Sequence, residues 1–197
     1  MDTLSYKPWL GMLASALTVL AYAPYLLAIA RQRVQPHVFT WIIWGTATLL
    51  AFAATLQEGG GSGAWVIGLS AAISFMVAAL AYVKRADVKI SPLDVAFFIG
   101  ALAAVPLWFW TNDPLSAVLL LTLIELLGFA PTFRKAWHAP YSESISFLLL
   151  LTLRNVLILA SLEQVSLTTT LFPAAAGVAC LALVAMMIWR RQKFITP

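Results

Sequence analysis

The sequence has few charged residues and a single cysteine. Lys, Arg, Asp and Glu make up 10% of the 197 residues, whereas 62% are hydrophobic and the mean hydropathy is +0.91. Because a water-soluble domain needs a largely polar exterior, this composition excludes a soluble globular protein. The one cysteine, Cys180, lies inside an apolar stretch. It excludes a disulfide framework and a cysteine-based metal site, and we interpret it as a packing residue.

The sequence also lacks the motifs of common catalytic and metal sites. It contains no HExxH pair, no acidic metal-binding pair and no nucleophile elbow. Its two histidines, His37 and His138, have no acidic or thiolate neighbours at a spacing that suggests a metal site. The glycine-rich stretch 59–63 is followed by no lysine and resembles a flexible loop. We therefore predict no catalytic residue, no metal, no cofactor and no enzymatic activity.

Long apolar stretches occupy most of the chain. They cover residues 9–30, 38–56, 64–83, 93–110, 114–133, 145–162 and 171–189. Each approaches or exceeds the ~20 residues that a helix needs to cross about 30 Å of hydrocarbon. The sequence therefore predicts an all-α integral membrane protein that crosses the lipid bilayer with seven transmembrane helices.

Basic residues concentrate after every second span. They follow spans one, three, five and seven, at Arg31, Arg33, Lys84, Arg85, Lys89, Arg134, Lys135, Arg190, Arg191 and Lys193. The opposite loops carry Glu58, Asp113 and Glu163, and only Lys7 departs from the pattern. The positive-inside rule then predicts an N-terminus outside and a C-terminus inside the cell. Basic residues scattered over short membrane-surface loops do not indicate a nucleic-acid partner. The short loops favour a bacterial inner membrane.

One helix–loop–helix element occurs twice, about 107 residues apart. The first copy contains Ala-Pro at Pro24, a basic stretch and a hydroxyl at Thr40. The second contains Ala-Pro at Pro131, a second basic stretch and a hydroxyl at Ser146. Repetition of such an element indicates a duplicated helical bundle.

Two three-helix bundles of the same orientation need one additional crossing between them. We therefore predict a first bundle over residues 1–86, a linker helix over 87–112 and a second bundle over 113–197. The two bundles are expected to be parallel repeats related by an axis along the membrane normal, with the solute path between them.

These features resemble the PQ-loop superfamily of membrane proteins, which includes the SWEET sugar transporters. The resemblance covers nearly the whole chain in its topology, its two Ala-Pro pairs and its basic loops. It departs in that Tyr25 and Thr132 replace the glutamine of the family motif, and in that spans two and six contain no proline. The resemblance implies a transporter of a small polar metabolite that works by alternating access, with Pro24 and Pro131 as hinges.

Two other functions stay open on the same frame. One is a binding or sorting receptor that does not transport, because the superfamily also resembles such a receptor in its fold. The other is an accessory or lipid-handling membrane protein. The sequence leaves open whether the solute is a sugar, an amino acid or a nucleoside-like metabolite, and whether the protein forms a homo-oligomer.

Glu125 and Arg154 are the only clear charges deep inside the predicted spans. Both lie about 12–13 Å from the inner end of their span at 1.5 Å per residue. Because a lone charge at this depth costs at least ~2.5–3.5 kcal/mol, we expect each to face the other or a wet cavity. Two interpretations remain: a gate linked to substrate or to protons through Glu125, and a static salt bridge between spans five and six.

Polar and aromatic residues on spans one, two and six extend this candidate site. Alignment of the two repeats places Thr18 opposite Glu125 and Thr48 opposite Arg154. Helical spacing adds further residues to the same faces. Ser15 and Tyr25 continue the span-one stripe, and we interpret Trp41 mainly as an interfacial anchor. The predicted substrate-binding residues are Thr18, Tyr22, Trp44, Thr48, Glu125, Arg154 and Asn155.

Overall fold

The computed structural model describes residues 6–33, 36–84, 90, 92–141 and 143–195, with the backbone alone at positions 94, 131, 135, 194 and 195. The described chain forms helices α1 (Lys7–Ala30), α2 (Val38–Gln57), α3 (Gly61–Val83), α4 (Pro92–Thr111), α5 (Pro114–His138), α6 (Ile145–Ser161) and α7 (Leu167–Ile195). Over these ranges the fold is all-helical, as the apolar stretches predict.

Five of the helices are long and apolar enough to cross a membrane. They are α1, α2, α3, α5 and α7. The apolar part of α4, Val95–Thr111, and the whole of α6 are shorter. At ~1.5 Å per residue, α6 spans about 25 Å, which is less than the typical hydrocarbon thickness. The five long helices indicate an integral membrane protein.

Side-chain caps begin both α2 and α6, the second helices of the two predicted repeats. His37 precedes α2 and its Nδ1 accepts a hydrogen bond from the backbone N–H of Thr40 at 3.3 Å. Ser144 precedes α6 and its Oγ accepts one from the N–H of Phe147, also at 3.3 Å. Such caps satisfy backbone donors that the first helical turn leaves unpaired.

The caps correct one part of the repeat alignment. The capping residues His37 and Ser144 are separated by the same number of residues as Pro24 and Pro131. Thr48 therefore corresponds to Asn155, and Ala47 corresponds to Arg154. The sequence alignment, which was anchored on hydroxyl residues, was displaced by one residue in this helix.

The helix contacts correspond in pairs when α1–α3, the first set, are matched in order with α5–α7, the second set. Helix α3 contacts both α1 and α2, and α7 contacts both α5 and α6. Between the sets, α1 packs against α6 and α2 against α5, while α3 contacts α6 and α2 contacts α7. Each of these contacts has its counterpart when the first set is exchanged for the second. Helix α4 packs against α5 and α2.

The molecule has two chemically different ends. The basic end is the one at which α1, α3, α5 and α7 finish and α2 and α6 begin. Its described basic side chains are Arg31, Arg33, Lys84, Arg134, Arg190, Arg191 and Lys193. The acidic end is opposite and carries Glu58, Asp113 and Glu163, with Lys7 as its cation.

Hydrogen bonds between loops join the two sets at the acidic end. The N–H of Glu163 donates to the carbonyl of Gly60 at 3.3 Å, and the N–H of Gln164 donates to that of Gly59 at 3.2 Å. Ser62 Oγ also donates to the carbonyl of Ser161 at 2.9 Å. We call this group of cross-set contacts the loop clamp. It ties the α2–α3 connection to the α6–α7 connection.

Glycine makes the loop clamp sterically feasible. Gly59 and Gly61 have φ angles of 72° and 59°, in the left-handed region that other residues avoid. A Cβ at Gly63 would lie 2.8 Å from Cδ2 of Leu162 and 2.9 Å from the carbonyl oxygen of Ile158. The absence of a side chain at position 63 therefore lets α3 approach α6 closely.

Candidate functional site

Two adjoining cavities lie between the two helix sets. The larger cavity, which we call the vestibule, has a volume of about 370 Å³ and reaches Pro36, His37 and Glu143 at the basic end. The smaller one, which we call the inner chamber, has a volume of about 70 Å³ and adds Ser70 and Ser74 of α3 to its lining. The cavities share the lining residues Tyr22, Trp41, Trp44, Glu125, Arg154, Asn155 and Ala176.

Six of the seven predicted binding residues line the cavities, and the seventh, Thr18, lines neither. Tyr22, Trp44, Glu125, Arg154 and Asn155 line both cavities. Thr48 lines the inner chamber, and Thr18 is fully buried against Arg154. Their role in binding a solute stays a prediction.

Arg154 is buried and is held by neutral oxygen atoms. Its Nε donates to Oγ1 of Thr18 at 3.0 Å, and Nη2 donates to Oγ of Ser70 in a short contact. Nη1 makes only a long contact, 3.5 Å, to Oδ1 of Asn155. Within the described ranges, the hydrogen bonds of the guanidinium therefore go to two hydroxyls and an amide and to no carboxylate.

The three acceptors around Arg154 are oriented by their own helices. Thr18, Ser70 and Asn155 each donate to the backbone carbonyl four residues earlier, at 2.8, 2.9 and 2.9 Å. A hydroxyl has one proton to donate, so these bonds leave the lone pairs of Thr18 and Ser70 for the guanidinium. The amide of Asn155 is oriented so that its oxygen faces Arg154. Residues of α1, α3 and α6 thus fix the guanidinium.

Glu125 lies in the same cavities, and its carboxylate lacks a comparable set of partners. Its Oε2 is buried and accepts no hydrogen bond from the described residues. Of the two arrangements expected for these charges, the structure has the second: Glu125 and Arg154 line common cavities. No direct ion pair joins them within the described ranges, and Arg154 bonds to α1 and α3 instead. An unsatisfied carboxylate oxygen in a cavity wall is costly unless something else enters to pair with it.

Aromatic rings form a continuous wall beside the charged pair. Trp41 makes edge-to-face contacts with Tyr22 and Trp44, with ring centroids 6.3 and 5.4 Å apart. Phe147 of α6 contacts Tyr22 at 5.8 Å, also edge to face. Edge-to-face pairs stabilise the positions of the rings. Trp41 is therefore part of the cavity wall, which corrects its interpretation as mainly an interfacial anchor.

A glycine on α5 sets the position of Trp44. A Cβ at Gly128 would lie 2.5 Å from Nε1 of Trp44 and 3.2 Å from its Cε2. Trp44 can therefore lie flat against α5 only because position 128 has no side chain. A larger residue there would push the indole towards the cavities.

The sequence did not reveal the polar contribution of α3 to the inner chamber. Ser70 and Ser74 of α3 both line the chamber, and Ser70 binds Arg154. Their spacing of four residues on a buried helix is the signal that could have revealed them. Pro173, inside α7, also lines the chamber. A proline there removes one helical hydrogen bond.

Of the two predicted hinge prolines, only Pro24 has a side chain among the described residues. Pro24 lies inside α1, and its side chain is exposed away from the cavities. Pro131 falls within the bounds of α5, but its side chain lies outside the described residues. Among the described side chains, Pro173 is therefore the helix-internal proline that borders the inner chamber.

Among the described residues, no three His, Cys, Asp or Glu side chains come together to hold a metal ion. Comparison with protein-family models, with curated proteins and with solved structures finds no match for this chain. The resemblance to the PQ-loop superfamily stays a prediction, and the function has to be argued from the site.

Proposed function

We propose that this protein transports a small polar metabolite across the membrane by alternating access. The observation that carries the proposal is the pair of cavities at the interface between the two helix sets, whose walls include the buried Arg154 and the half-buried Glu125. Intramembrane charges that face a cavity are typical of solute and ion pathways.

The packing of the helices supports the 3+1+3 organisation. Helices α1–α3 and α5–α7 form two bundles in this proposal, with α4 as the linker on the outside. The support is that α3 and α7 occupy the same place in their sets and that the contacts between the sets exchange in pairs. Transporters built from repeats bind their solute at the interface between the repeats, close to the middle of the membrane.

The interface between the helix sets contains a cavity at the basic end and is closed by hydrogen bonds at the acidic end. At the basic end the vestibule extends to His37 and Glu143, where α2 and α6 begin. At the acidic end the loop clamp joins the two sets. By the positive-inside rule the basic end faces the cytoplasm. In the proposed cycle this is therefore the inward-facing state, and opening of the loop clamp would give the outward-facing one.

Solute flux into liposomes tests the proposal. The purified chain is reconstituted, and uptake of radiolabelled amino acids, monosaccharides and nucleosides is measured against empty liposomes. Saturable uptake of at least one class is expected. Specific binding without uptake would favour the alternative of a non-transporting receptor.

A matched pair of variants on α7 controls this experiment. Ala176 lines both cavities, so Ala176→Phe is expected to fill the path and abolish uptake. Ala185 is exposed on the same helix, so Ala185→Phe is expected to leave uptake unchanged. Equal uptake by the two variants would show that the solute does not cross through these cavities. The assignment to a bacterial inner membrane stays a prediction from the short loops.

A further inference from the structure

We propose that the solute is a zwitterion with a carboxylate and an ammonium group on neighbouring carbon atoms and an apolar side chain, as in a neutral α-amino acid. This inference rests on the proposed function, because it assigns a solute class to the same cavities.

Arg154 is suited to the carboxylate of the solute. A guanidinium carries five N–H donors. In Arg154 the N–H of Nε donates to Thr18 and one N–H of Nη2 donates to Ser70. One N–H of Nη1 makes the long contact to Asn155. At least one N–H on each terminal nitrogen is thus left over. Two parallel N–H groups of this kind match the two oxygens of a carboxylate. The surrounding oxygens are neutral, so the positive charge is held in place without being neutralised.

Glu125 is suited to the ammonium group. Glu125 lines both cavities, and its Oε2 is buried and accepts no hydrogen bond from the described residues. An ammonium group supplies both the missing donor and the opposite charge. The second repeat contributes this carboxylate where the first repeat has Thr18, so the site is polarised across the interface between the two sets.

Only a solute with both charges satisfies both side chains. A simple anion would pair with Arg154 and leave Glu125 buried without a partner, and a simple cation would do the reverse. A neutral sugar or nucleoside would neutralise neither. Because a buried charge without a partner is strongly unfavourable, the site favours the zwitterion over each of these alternatives.

The sizes and linings of the cavities indicate how the zwitterion lies. The inner chamber, at about 70 Å³, has room for roughly five water-sized groups at ~15 Å³ each, which suits a charged head group and not a sugar ring. The vestibule, at about 370 Å³, is within the usual range for small-molecule sites. Its walls include Phe129, Phe147, Leu148 and Leu151. An apolar side chain would therefore extend from the head group towards the basic end.

Equilibrium binding to the purified full chain in detergent tests the inference. The probes are L-phenylalanine, 3-phenylpropionate, which lacks the amine, phenethylamine, which lacks the carboxylate, and glucose and uridine. We expect L-phenylalanine to bind about tenfold or more tightly than either analogue, since each analogue leaves one buried charge unpaired. Equal binding of L-phenylalanine and 3-phenylpropionate would overturn the inference, as would tighter binding of glucose or uridine.

Variants assign each charge to its group. Glu125→Gln is expected to weaken binding of L-phenylalanine, which loses the partner of its ammonium group, and to strengthen binding of 3-phenylpropionate, whose carboxylate no longer shares the cavity with a like charge. Arg154→Lys retains a charge but not the paired donors. It is expected to weaken binding of L-phenylalanine and of 3-phenylpropionate by the same factor and to leave binding of phenethylamine unchanged. Glu58→Gln, at the acidic end and away from both cavities, is the matched control and is expected to change nothing. A loss in Glu58→Gln equal to that in Glu125→Gln would contradict the assignment.

The outcomes separate this inference from the proposed function. Binding of L-phenylalanine with the expected preference but without flux in liposomes would support the zwitterion site and overturn transport. Flux of glucose or uridine without binding of L-phenylalanine would support transport and overturn the zwitterion site.

Discussion

Nε of Arg154, on α6, donates a hydrogen bond to Oγ1 of Thr18, on α1, at 3.0 Å. This bond links the two helix sets through a charged donor and a neutral acceptor. In the second repeat, Glu125 occupies the position of Thr18, and the position of Arg154 corresponds to Ala47 in the first. By this correspondence the residue that would face Glu125, as Arg154 faces Thr18, is Ala47, which has no donor to offer. This asymmetry gives a physical account of why Oε2 of Glu125 is unsatisfied.

Loss of the acceptor at position 18 should weaken the fold. Thr18→Val keeps the shape of the side chain but leaves Nε of Arg154 without its partner. We expect a loss of ~1–3 kcal/mol in the free energy of unfolding, seen as a lower Tm in detergent. Thr152→Val, which removes a hydroxyl that bonds only within α6, is the control and should cost less. Equal losses would show that the Thr18–Arg154 bond contributes nothing specific.

Glu125→Gln should impair function without impairing stability. Glu125 has a buried oxygen with no hydrogen bond to lose, and removal of its charge also removes a desolvation penalty. We expect an unchanged or higher Tm together with reduced solute uptake. Arg154→Met, which loses bonds to two helices, should instead lower the Tm strongly. A drop in Tm of similar size in both variants would indicate that Glu125 is a structural partner.

Gly128→Ala should alter the cavity wall. The new Cβ would lie 2.5 Å from Nε1 of Trp44, so the indole has to move. We expect weaker solute binding by about tenfold, measured by titration calorimetry. Gly100→Ala is the control, because its Cβ would meet only the flexible Cδ1 of Ile124 at 3.3 Å. Unchanged binding in Gly128→Ala would remove Trp44 from the site.

Gly63→Ala should separate the two helix sets at the acidic end. Its Cβ would lie 2.9 Å from the backbone oxygen of Ile158, which cannot move aside as a side chain can. We expect a shift away from the state in which the vestibule is open. Cys180 is the only cysteine and lines the vestibule, so slower labelling of its thiol reports this shift.

The control for this shift is Gly68→Ala on the same helix. Its Cβ would contact only the ring of Phe52, at 3.1 Å. Labelling of Cys180 should then proceed at the wild-type rate. If Gly63→Ala also labels at that rate, the close approach of α3 and α6 does not control access to the vestibule.

Local sequence signals predicted the helices better than they predicted the partners of the charges. The expected span 145–162 agrees with α6 (Ile145–Ser161), because the apolar run and its capping serine mark the boundaries. Six of the predicted site residues line the cavities, as helical spacing predicts. Of the two arrangements expected for the charges, the direct pair is absent among the described residues for a tertiary reason: α7 contacts both α5 and α6, and Arg154 faces α1 and α3. The spacing of residues along one helix predicts which side chains share a face, but it does not predict which helices are neighbours in the bundle.

The role of α3 was hidden for a similar reason. Ser70 and Ser74 are chemically ordinary small residues in a helix that packs closely with its neighbours. Their hydroxyls bond to their own helix, as they would in a purely structural setting. The second hydrogen-bond partner of Ser70 is Arg154, which lies on another helix. No local sequence pattern in α3 predicts that contact.

Thiol labelling from each side of the membrane tests whether access to the cavities alternates between the two ends. Cys180 reports the vestibule, and Ser62→Cys in a Cys180→Ala background reports the loop clamp. Each is labelled in oriented liposomes with an impermeant reagent from its own side, with and without a transported solute. We expect the solute to change the two labelling rates in opposite directions. Rates that change in the same direction, or that do not respond to any solute that the liposomes take up, would contradict the account.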